Sequence, residues 1–430
     1  MNPIDGAPGR VLICGAGPTG LALALGLSRR GVAVSVVEAS PHFAAQFRGE
    51  ALMPSGLAAL ECLGLLPLAA AVRQRPLSGW NFWLERQPLF HCREPIDGGR
   101  PCLLLDPTSL LEAMAAQLQA CPGAELHLGQ RVVDLIGLDC RDDGAIGSEE
   151  RIGGVRLSDG TSLNAELVIA CDGRGSRLRR AAGLALASGS EPMLVLWFQL
   201  PPPHSEALEQ VLAGGFHTVL AGGEALALYP STCGGVQLGW PLPAGDRRDL
   251  SSAQWRERWL QLCPPRLAEA LAQVPAEVIG TPLRLPVQVG LAERWWRPGL
   301  LLLGDAAHPM SPVRAQGTAM GLRDAAVTAS VLAPLFHAAL PAPQRQQALD
   351  AALAAIERPR RLEIARIQQL QEQEWQRGER LHHSPALRGI LAGVAPLLGP
   401  LLAAAWQRSQ ADLRQGLPGG LAIAAGPGRP

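Results

Sequence analysis

Nearly continuous apolar runs recur along the chain at 11–14, 32–37, 165–170 and 300–303. Each is too short for a helix and too uniform for a sheet with one wet face. They read as strands buried on both sides, the texture of a parallel sheet. Helical patterns occupy 21–30, 55–65, 108–120 and 317–336, and the Gly-Leu-Leu-Pro of 64–67 stops the second of them. Between 191 and 242 the texture changes to short apolar runs at 193–200, 216–220, 225–229 and 236–240, broken by Gly and Pro as in an antiparallel sheet. A Trp-bearing stretch at 80–91 alternates like a strand, and 125–128, 132–139 and 155–160 carry strand-type residues. The polar, Gly-rich 142–154 run reads as an exposed hairpin connection. Helical pattern returns at 252–262 and 265–273. Beyond 348 it dominates, charged and amphipathic over 348–381 and mostly apolar over 385–406. The pattern predicts an α/β chain, α+β overall, in which a parallel-sheet lobe is interleaved with an antiparallel-sheet lobe and followed by a C-terminal helical segment.

At 430 residues the chain exceeds the usual size of one core, in keeping with two lobes. Its formal net charge of zero removes any bulk attraction to nucleic acid. All 38 basic residues are Arg. Without Lys, Schiff-base and lysine-nucleophile chemistries are excluded. Nine cysteines form no C-x-x-C and nine histidines no zinc-type spacing, although His382 and His383 adjoin, so no metal is expected. The odd cysteine count without an apolar leader fits reduced thiols in a cytoplasm-like compartment. Cys14 and Cys171 read as small core residues.

Three segments carry the candidate chemistry. Gly15-Ala-Gly-Pro-Thr-Gly20 lies between a strand and a helix, the context that a dinucleotide-phosphate turn requires. Gly15 and Gly17 let the backbone turn sharply and offer amides to a pyrophosphate, while Gly20 lets the helix pack on the strand. Pro18 and Thr19 complete the turn, and the helix N-terminus faces the phosphates. The next strand ends at Glu38, placed to accept from an adenosine ribose; an acid there suits FAD or NAD rather than NADP. Arg48 is a candidate phosphate partner. The second segment, Asp172-Gly-Arg-Gly-Ser-Arg-Leu-Arg179, follows an apolar strand directly. Arg174, Arg177, Arg179 and Arg180 make it basic, facing either a nicotinamide phosphate or solvent. The third, Gly304-Asp-Ala-Ala-His-Pro309, sits at the C-terminal end of 300–303, where open α/β sheets bind ligands. Asp305 can accept from sugar-alcohol hydroxyls, and the helix that begins at Gly317 turns its N-terminus toward another anionic or polar part of the cofactor.

In order and content these motifs resemble the single-component FAD-dependent aromatic hydroxylases, the para-hydroxybenzoate hydroxylase and ubiquinone-biosynthesis hydroxylase group, over residues 10–380. The resemblance implies a G-x-G-x-x-G at Gly15, Gly17 and Gly20, with Glu38 and Arg48 near the cofactor. It implies a D-G-x-x-S-x-x-R at Asp172, Gly173, Ser176 and Arg179 that contacts FAD and also marks, through Asp172, Ser176 and Arg179, the approach of NAD(P)H. A G-D-A-A-H-x-x-x-P matches at Gly304 to Pro312, with Asp305 expected on the ribityl chain. Val132, Gly317, Thr318 and Ala319 complete the expected cofactor set. The implied architecture is a Rossmann-like FAD-binding lobe from 1–72, 98–180 and 298–345, a substrate lobe from 73–97 and 181–297, and a C-terminal helical region from 346–430. The implied activity is NAD(P)H- and O2-dependent hydroxylation, through a flavin hydroperoxide, of an apolar aromatic or isoprenoid/quinone-type substrate. The lack of a second G-x-G-x-x-G agrees, because the nicotinamide donor has no Rossmann domain of its own in such a family. Two alternatives stay open: a flavin-dependent reductase of isoprenoid double bonds and a non-catalytic FAD-binding protein.

After Pro312 the chain departs from the family pattern. Arg314 and Ala315 replace glycines, and Ala319 replaces an Asn. Arg314 is either a cation beside the flavin or a solvent-facing residue. His308 reads as a structural hydrogen-bonder, with a proton shuttle as the alternative, and Pro309 adjoins it. Trp197, His217, Tyr229 and Trp240 lie on the predicted sheet as pocket or core residues. Residues 389–406 form 18 positions without charge, but Pro396, Pro400 and three glycines make a poor membrane span. A packed segment, or peripheral membrane contact through 385–406, is the expectation.

Overall fold

The computed structural model describes residues 9–43, 49–96, 98–137, 150–188, 193–243, 246 and 248–421. Two large sheets organise them. The first has six strands in the order Trp296–Arg297, Leu300–Leu302, Leu167–Ala170, Arg10–Cys14, Ala33–Glu38, Ala124–Leu128, parallel except at the Trp296–Arg297 edge. Val11, Ile13, Val168 and Leu301 are fully buried, as continuous apolar runs in a doubly covered sheet should be. The Pro18–Ser28 and Gln316–His337 helices pack together beside this sheet. Gly26 permits it, since a Cβ there would stand 3.1 Å from the Ala329 methyl group.

The second sheet has seven strands in the order Leu283–Val287, Met193–Leu200, Val236–Pro243, Glu224–Pro230, Phe216–Ala221, Gly79–Leu84, Gln87–Arg93. It is antiparallel except where Gly79–Leu84 runs parallel to Phe216–Ala221, a departure from the wholly antiparallel expectation. That partner arrives from a distant part of the chain and leaves no local signal. The expected strand at 80–91 is a hairpin turned at Glu85 and Arg86, whose φ values are 47° and 68°. Such two-residue turns favour Asn-Gly, so Glu-Arg gave no warning. A smaller sheet pairs Val132–Gly137 with Ile152–Leu157. Ile152 starts its strand inside the run expected to be a connection, and 138–149 lie outside the described residues.

Side-chain alternation gives the seven-stranded sheet two unlike faces. Leu196, Phe198, Leu228 and Trp240 form a second core with the Ser252–Leu262 and Pro265–Leu271 helices, whereas Trp197 and Tyr229 face the first core. The C-terminal helices Ala342–His383 and Pro385–Ser409 then wrap the molecule. Gly399 allows the second of them to approach the Leu89 carbonyl, which would lie 3.1 Å from a Cβ. On the short Ala411–Gln415 helix, Arg414 forms a buried pair with Glu94 (Nη2 to Oε2 2.8 Å), which also accepts from Trp80 Nε1 at 2.6 Å. Removing one partner of such a pair costs about 3–5 kcal/mol.

Two of the four expected pocket residues therefore point away from the first core. Trp240 lies against Trp255, 5.4 Å between ring centroids, and His217 is enclosed on the same face. Trp83 Nε1 donates to His217 Nδ1 at 3.1 Å, and Nε2 faces the Leu212 carbonyl at 3.1 Å, which describes a neutral ring. Burial pulls the His217 pKa down to about 4, against the weaker opposing effect of the Leu212 bond. The unfolded chain titrates near ~6.5, so between the two values it binds a proton that the folded chain refuses. Stability therefore falls as pH drops from ~6.5 toward the folded value. Urea unfolding at pH 7 and pH 4.5 should show about 2–3 kcal/mol more acid-induced loss in the wild type than in His217→Gln. Equal losses in the two proteins would contradict this assignment.

Candidate functional site

The first segment separates glycines that the protein needs from one that it leaves open. Gly15 adopts φ +109° and donates its amide to the Val37 carbonyl at 2.7 Å. A Cβ on Gly15 would overlap the Cys171 carbonyl, and one on Gly20 the Gly15 carbonyl. Gly17 has φ −70°, and nothing lies within 4 Å of its missing Cβ. It is the N-cap of the Pro18–Ser28 helix, which has no side-chain cap and no acid in its first turn. The positive end of that helix is therefore left for an anion. Thr19 places its hydroxyl against Gly304 and Gly321, joining the first segment to the third. Glu38 accepts from the amides of Ala16 and Ser40, each at 2.8 Å, and keeps lone pairs for other hydroxyls. Arg48 lies outside the described residues.

The second segment is bound into the third. Asp172 accepts from Ser176 Oγ at 2.6 Å and from the Leu178 amide at 3.1 Å, and Ser176 Oγ caps the Arg179 amide at 3.0 Å. Arg179, 4% exposed, donates to the Ala306 carbonyl at 2.7 Å. Ser176 and Arg179 thus point inward, unlike the nicotinamide-facing arrangement expected of them, because the Arg177–Ala181 turn rotates them into the protein. The exposed cations of this segment are Arg174, Arg177 and Arg180. Arg174 Nε pairs with Asp305 Oδ2 at 3.0 Å, and Gly173, at φ +81°, borders open space.

His308 is fully buried, 2.6 Å from Asp324 Oδ2 and 5.0 Å from the Trp295 ring. Asp324 also accepts from the Gly304 amide at 3.0 Å and from Arg360 Nε at 2.7 Å. Burial raises the Asp324 pKa, but the charges and hydrogen bonds of His308 and Arg360 outweigh it and hold the carboxyl at about 2. His308 is committed to this pair, and the Pro309 carbonyl to the Gly290 amide at 3.1 Å. Neither borders the cavity described next.

The Gln316–His337 helix also begins without a side-chain cap or a first-turn acid. A small, open-sided pocket lies between this helix end and that of Pro18–Ser28, lined by Pro18, Gly49, Glu50, Ala51, Pro107 and Thr318. Gly317 adjoins Asp305, whose Oδ1 would lie 3.8 Å from a Cβ there. An open glycine cradle, two uncapped helix ends and two carboxylates suited to sugar hydroxyls match the successive parts of FAD. Ala319 departs from its expected cofactor role: it is fully buried against Gly56, one helical step around from Thr318. Val132 opens a strand of the small sheet and does not line the cavity.

Arg314 is neither solvent-facing nor free. Its side chain is 9% exposed and paired with Glu374, its guanidinium lying over Trp80, Phe82 and Trp406. Arg314 and Ala315 keep left-handed φ values of 59° and 49°, which cost non-glycine residues about 1–2 kcal/mol each. On the sheet, Tyr229 stacks on Phe216 at 5.3 Å and meets Trp197 edge-on at 6.1 Å. Burial pushes the Tyr229 hydroxyl well above its ordinary pKa, and the nearby Glu50 carboxylate adds to this. Glu50 escaped the sequence reading. It accepts from Ser231 Oγ at 2.7 Å, the Thr232 amide at 2.8 Å and Gln237 Nε2 at 3.2 Å, and Gln237 in turn accepts from Trp197 Nε1 at 2.7 Å. A lone acid ahead of a two-residue strand carried no signal of these partners.

The family model described as FAD binding domain matches residues 9–344. The chain is 33% identical to 6-methylpretetramide 4-monooxygenase of Streptomyces rimosus over 77% of its own length and 76% of that protein. It is 28% identical to 3-demethoxyubiquinol 3-hydroxylase of Escherichia coli over 76% of its length and 80% of that enzyme. In fold it is similar to p-nitrophenol 4-monooxygenase of Pseudomonas putida, with a TM-score of 0.73, 20% identity, and coverage of 97% and 99% of the two chains.

The two kinds of glycine should fail differently. Gly15→Ala forces a methyl group into the Cys171 carbonyl at positive φ and should destabilise the apoprotein by about 3 kcal/mol or more in urea unfolding. Gly17→Ala should leave apoprotein stability unchanged yet weaken FAD on the order of tenfold or more in a fluorescence titration, because its Cβ enters the cradle. Normal FAD affinity in Gly17→Ala would contradict the placement of the phosphates.

Proposed function

The chain belongs to the FAD-binding-domain family of flavoprotein monooxygenases, and on that footing we propose how its residues serve oxygenation of a small aromatic or quinone-type molecule. The observation that carries the proposal is the cavity flanked by two uncapped helix N-termini. When bound, FAD would supply the redox chemistry, in which two electrons from NAD(P)H allow one atom of O2 to enter the substrate while the other leaves as water. Gly17 and the amides after Pro18 would hold the pyrophosphate in the turn that Gly15 and Gly20 shape, and Glu38 would hold the ribose. Asp172 and Gly173 shape the wall opposite. Asp305 would take the ribityl hydroxyls in place of its bond to Arg174. The Gly317 and Thr318 amides would donate to the polar edge of the ring.

The exposed Arg174, Arg177 and Arg180 offer phosphate contacts to the nicotinamide donor, a role moved from Ser176 and Arg179 to their solvent-facing neighbours. On the substrate side, Trp197, Phe216 and Tyr229 present flat apolar surface that excludes water, and the Glu50–Gln237 pair gives it a polar end that orients a hydroxyl or carbonyl group. The substrates named for the relatives, a pretetramide and a demethoxyubiquinol, are of this chemical kind. Eight free cysteines among the described residues agree with a reducing, cytoplasm-like compartment.

Anaerobic mixing of the FAD-loaded protein with NADH or NADPH should bleach the flavin, and oxygen-18 from labelled O2 should enter the product during turnover. A double-bond reductase would bleach but incorporate no label. Flavin that stays oxidised with both donors would support a non-catalytic protein.

A second proposal concerns Pro385–Ser409, one of two described helices long and apolar enough to cross a membrane; the other, Val313–His337, is largely buried. Ile390, Leu397 and Leu401 are 63–81% exposed, no charge interrupts 389–406, and the exposed Arg380 and Arg408 stand near the helix ends. This combination fits an anionic lipid surface onto which the helix lies flat. The wild type should sediment with vesicles containing anionic lipid, and Leu397→Glu with Leu401→Glu should cut the bound fraction at least fivefold. Equal sedimentation of the two proteins would remove this helix from membrane contact.

A further inference from the structure

The loop that leads into the flavin-facing helix is held from outside the flavin-binding elements. Arg314 and Ala315 are consecutive non-glycine residues in the left-handed region, where such conformations persist only if their surroundings over-determine them. The determinants come largely from the C-terminal helices. Glu374, on Ala342–His383, receives Arg314 Nε at 2.8 Å and is itself fixed by Trp406 Nε1 at 3.3 Å and Gln410 Nε2 at 2.9 Å. The Arg314 guanidinium lies 5.2 Å from the Trp80 and Phe82 ring centroids and 4.9 Å from that of Trp406. Gln371 Nε2 donates to the carbonyls of Ser311 at 2.9 Å and Val313 at 2.5 Å. Gln316 Nε2 bridges the Arg314 and Leu413 carbonyls, 2.8 Å to each. Immediately after this loop come Gly317, beside Asp305, and Thr318, on the cavity wall.

We propose that Arg314 is a positioning residue for the flavin, through which the C-terminal helices set the direction of the Gly317 and Thr318 amides. A glycine pair would adopt the same backbone without strain but without anchorage. Arg314 accepts the strain and in return ties the loop to Glu374, Trp406 and the Gly79–Leu84 strand. Burial raises the Glu374 pKa, but the charge and hydrogen bond of Arg314, with the bonds from Gln410 and Trp406, outweigh it and favour the carboxylate. Coupling of this kind is reciprocal: if the clamp favours FAD, FAD must favour the clamp.

The inference rests on the flavin placement above, and its test separates the two. Wild type, Arg314→Ala, Glu374→Gln, the double variant and Arg314→Lys are titrated with FAD, and the visible spectrum of the bound flavin is recorded. Hydrogen exchange over 371–378 and 404–415 is followed with and without FAD, and apoprotein melting checks folding. Arg314→Ala and Glu374→Gln should each weaken FAD about tenfold and alter the flavin band shape, with the double variant no worse than Arg314→Ala. Arg314→Lys, which keeps the charge but loses the fork, should fall between. FAD should slow exchange over both segments in the wild type and not in Arg314→Ala. If Arg314→Ala fails to fold, Glu374→Gln and Arg314→Lys carry the same comparison. FAD affinity within twofold of wild type with an unchanged spectrum in the folded variants would overturn the inference, whereas failure of the wild type to take up FAD would overturn the flavin placement itself.

Discussion

Asp324 is a carboxylate without access to water, and it accepts from the Gly304 amide, His308 and Arg360. Arg360 continues to Glu363, and Glu363 to Arg323 and the Leu417 amide, so charges alternate through four side chains that are at most 2% exposed. No member can be removed without stranding a buried charge, a loss of about 3–5 kcal/mol. The network fuses the third motif, the helix after it and the C-terminal segment into one body. Asp305 and Thr318 ride on that body, while Thr19 locks the phosphate turn to it through Gly304 and Gly321. Ligand-binding groups carried by such a scaffold keep their spacing without help from the ligand.

The seven-stranded sheet is attached to this body by a few buried polar links. Glu50 reaches from the cavity wall to Ser231, Thr232 and Gln237; Arg414 reaches from the C-terminal segment to Glu94 and, through it, Trp80. Arg314 adds a third link at the flavin loop itself. Aromatic rings supply the surface between the links, and the polar groups fix how that surface sits against this body.

What was legible in the sequence was what depends on short-range sterics. Parallel strands bury both faces, so their runs are continuously apolar; phosphate turns need glycine at fixed offsets, so Gly15, Gly17 and Gly20 stand out. What was not legible depends on partners far along the chain. Arg314 meets Glu374 after 60 residues, and Arg414 meets Glu94 after 320. Parity on the seven-stranded sheet could not be known without its register, so Trp197 and Tyr229 were grouped with His217 and Trp240, which face the other way. Ser176 and Arg179 match a motif that reads as ligand-facing, yet their geometry shows them joining two motifs together. Asp324, an acid inside an apolar helix, was a visible anomaly whose partner in the third motif the pattern did not identify.

The central claim is that one extended cofactor runs from the N-terminus of Pro18–Ser28 to that of Gln316–His337. A crystal structure of the FAD complex tests it most directly. The account predicts pyrophosphate density against the amides following Gly17, ribose hydroxyls on Glu38, and the isoalloxazine edge against the amides of Gly317 and Thr318, with Asp305 turned from Arg174 to the ribityl chain. Flavin density that leaves either helix end without a ligand contact would contradict it.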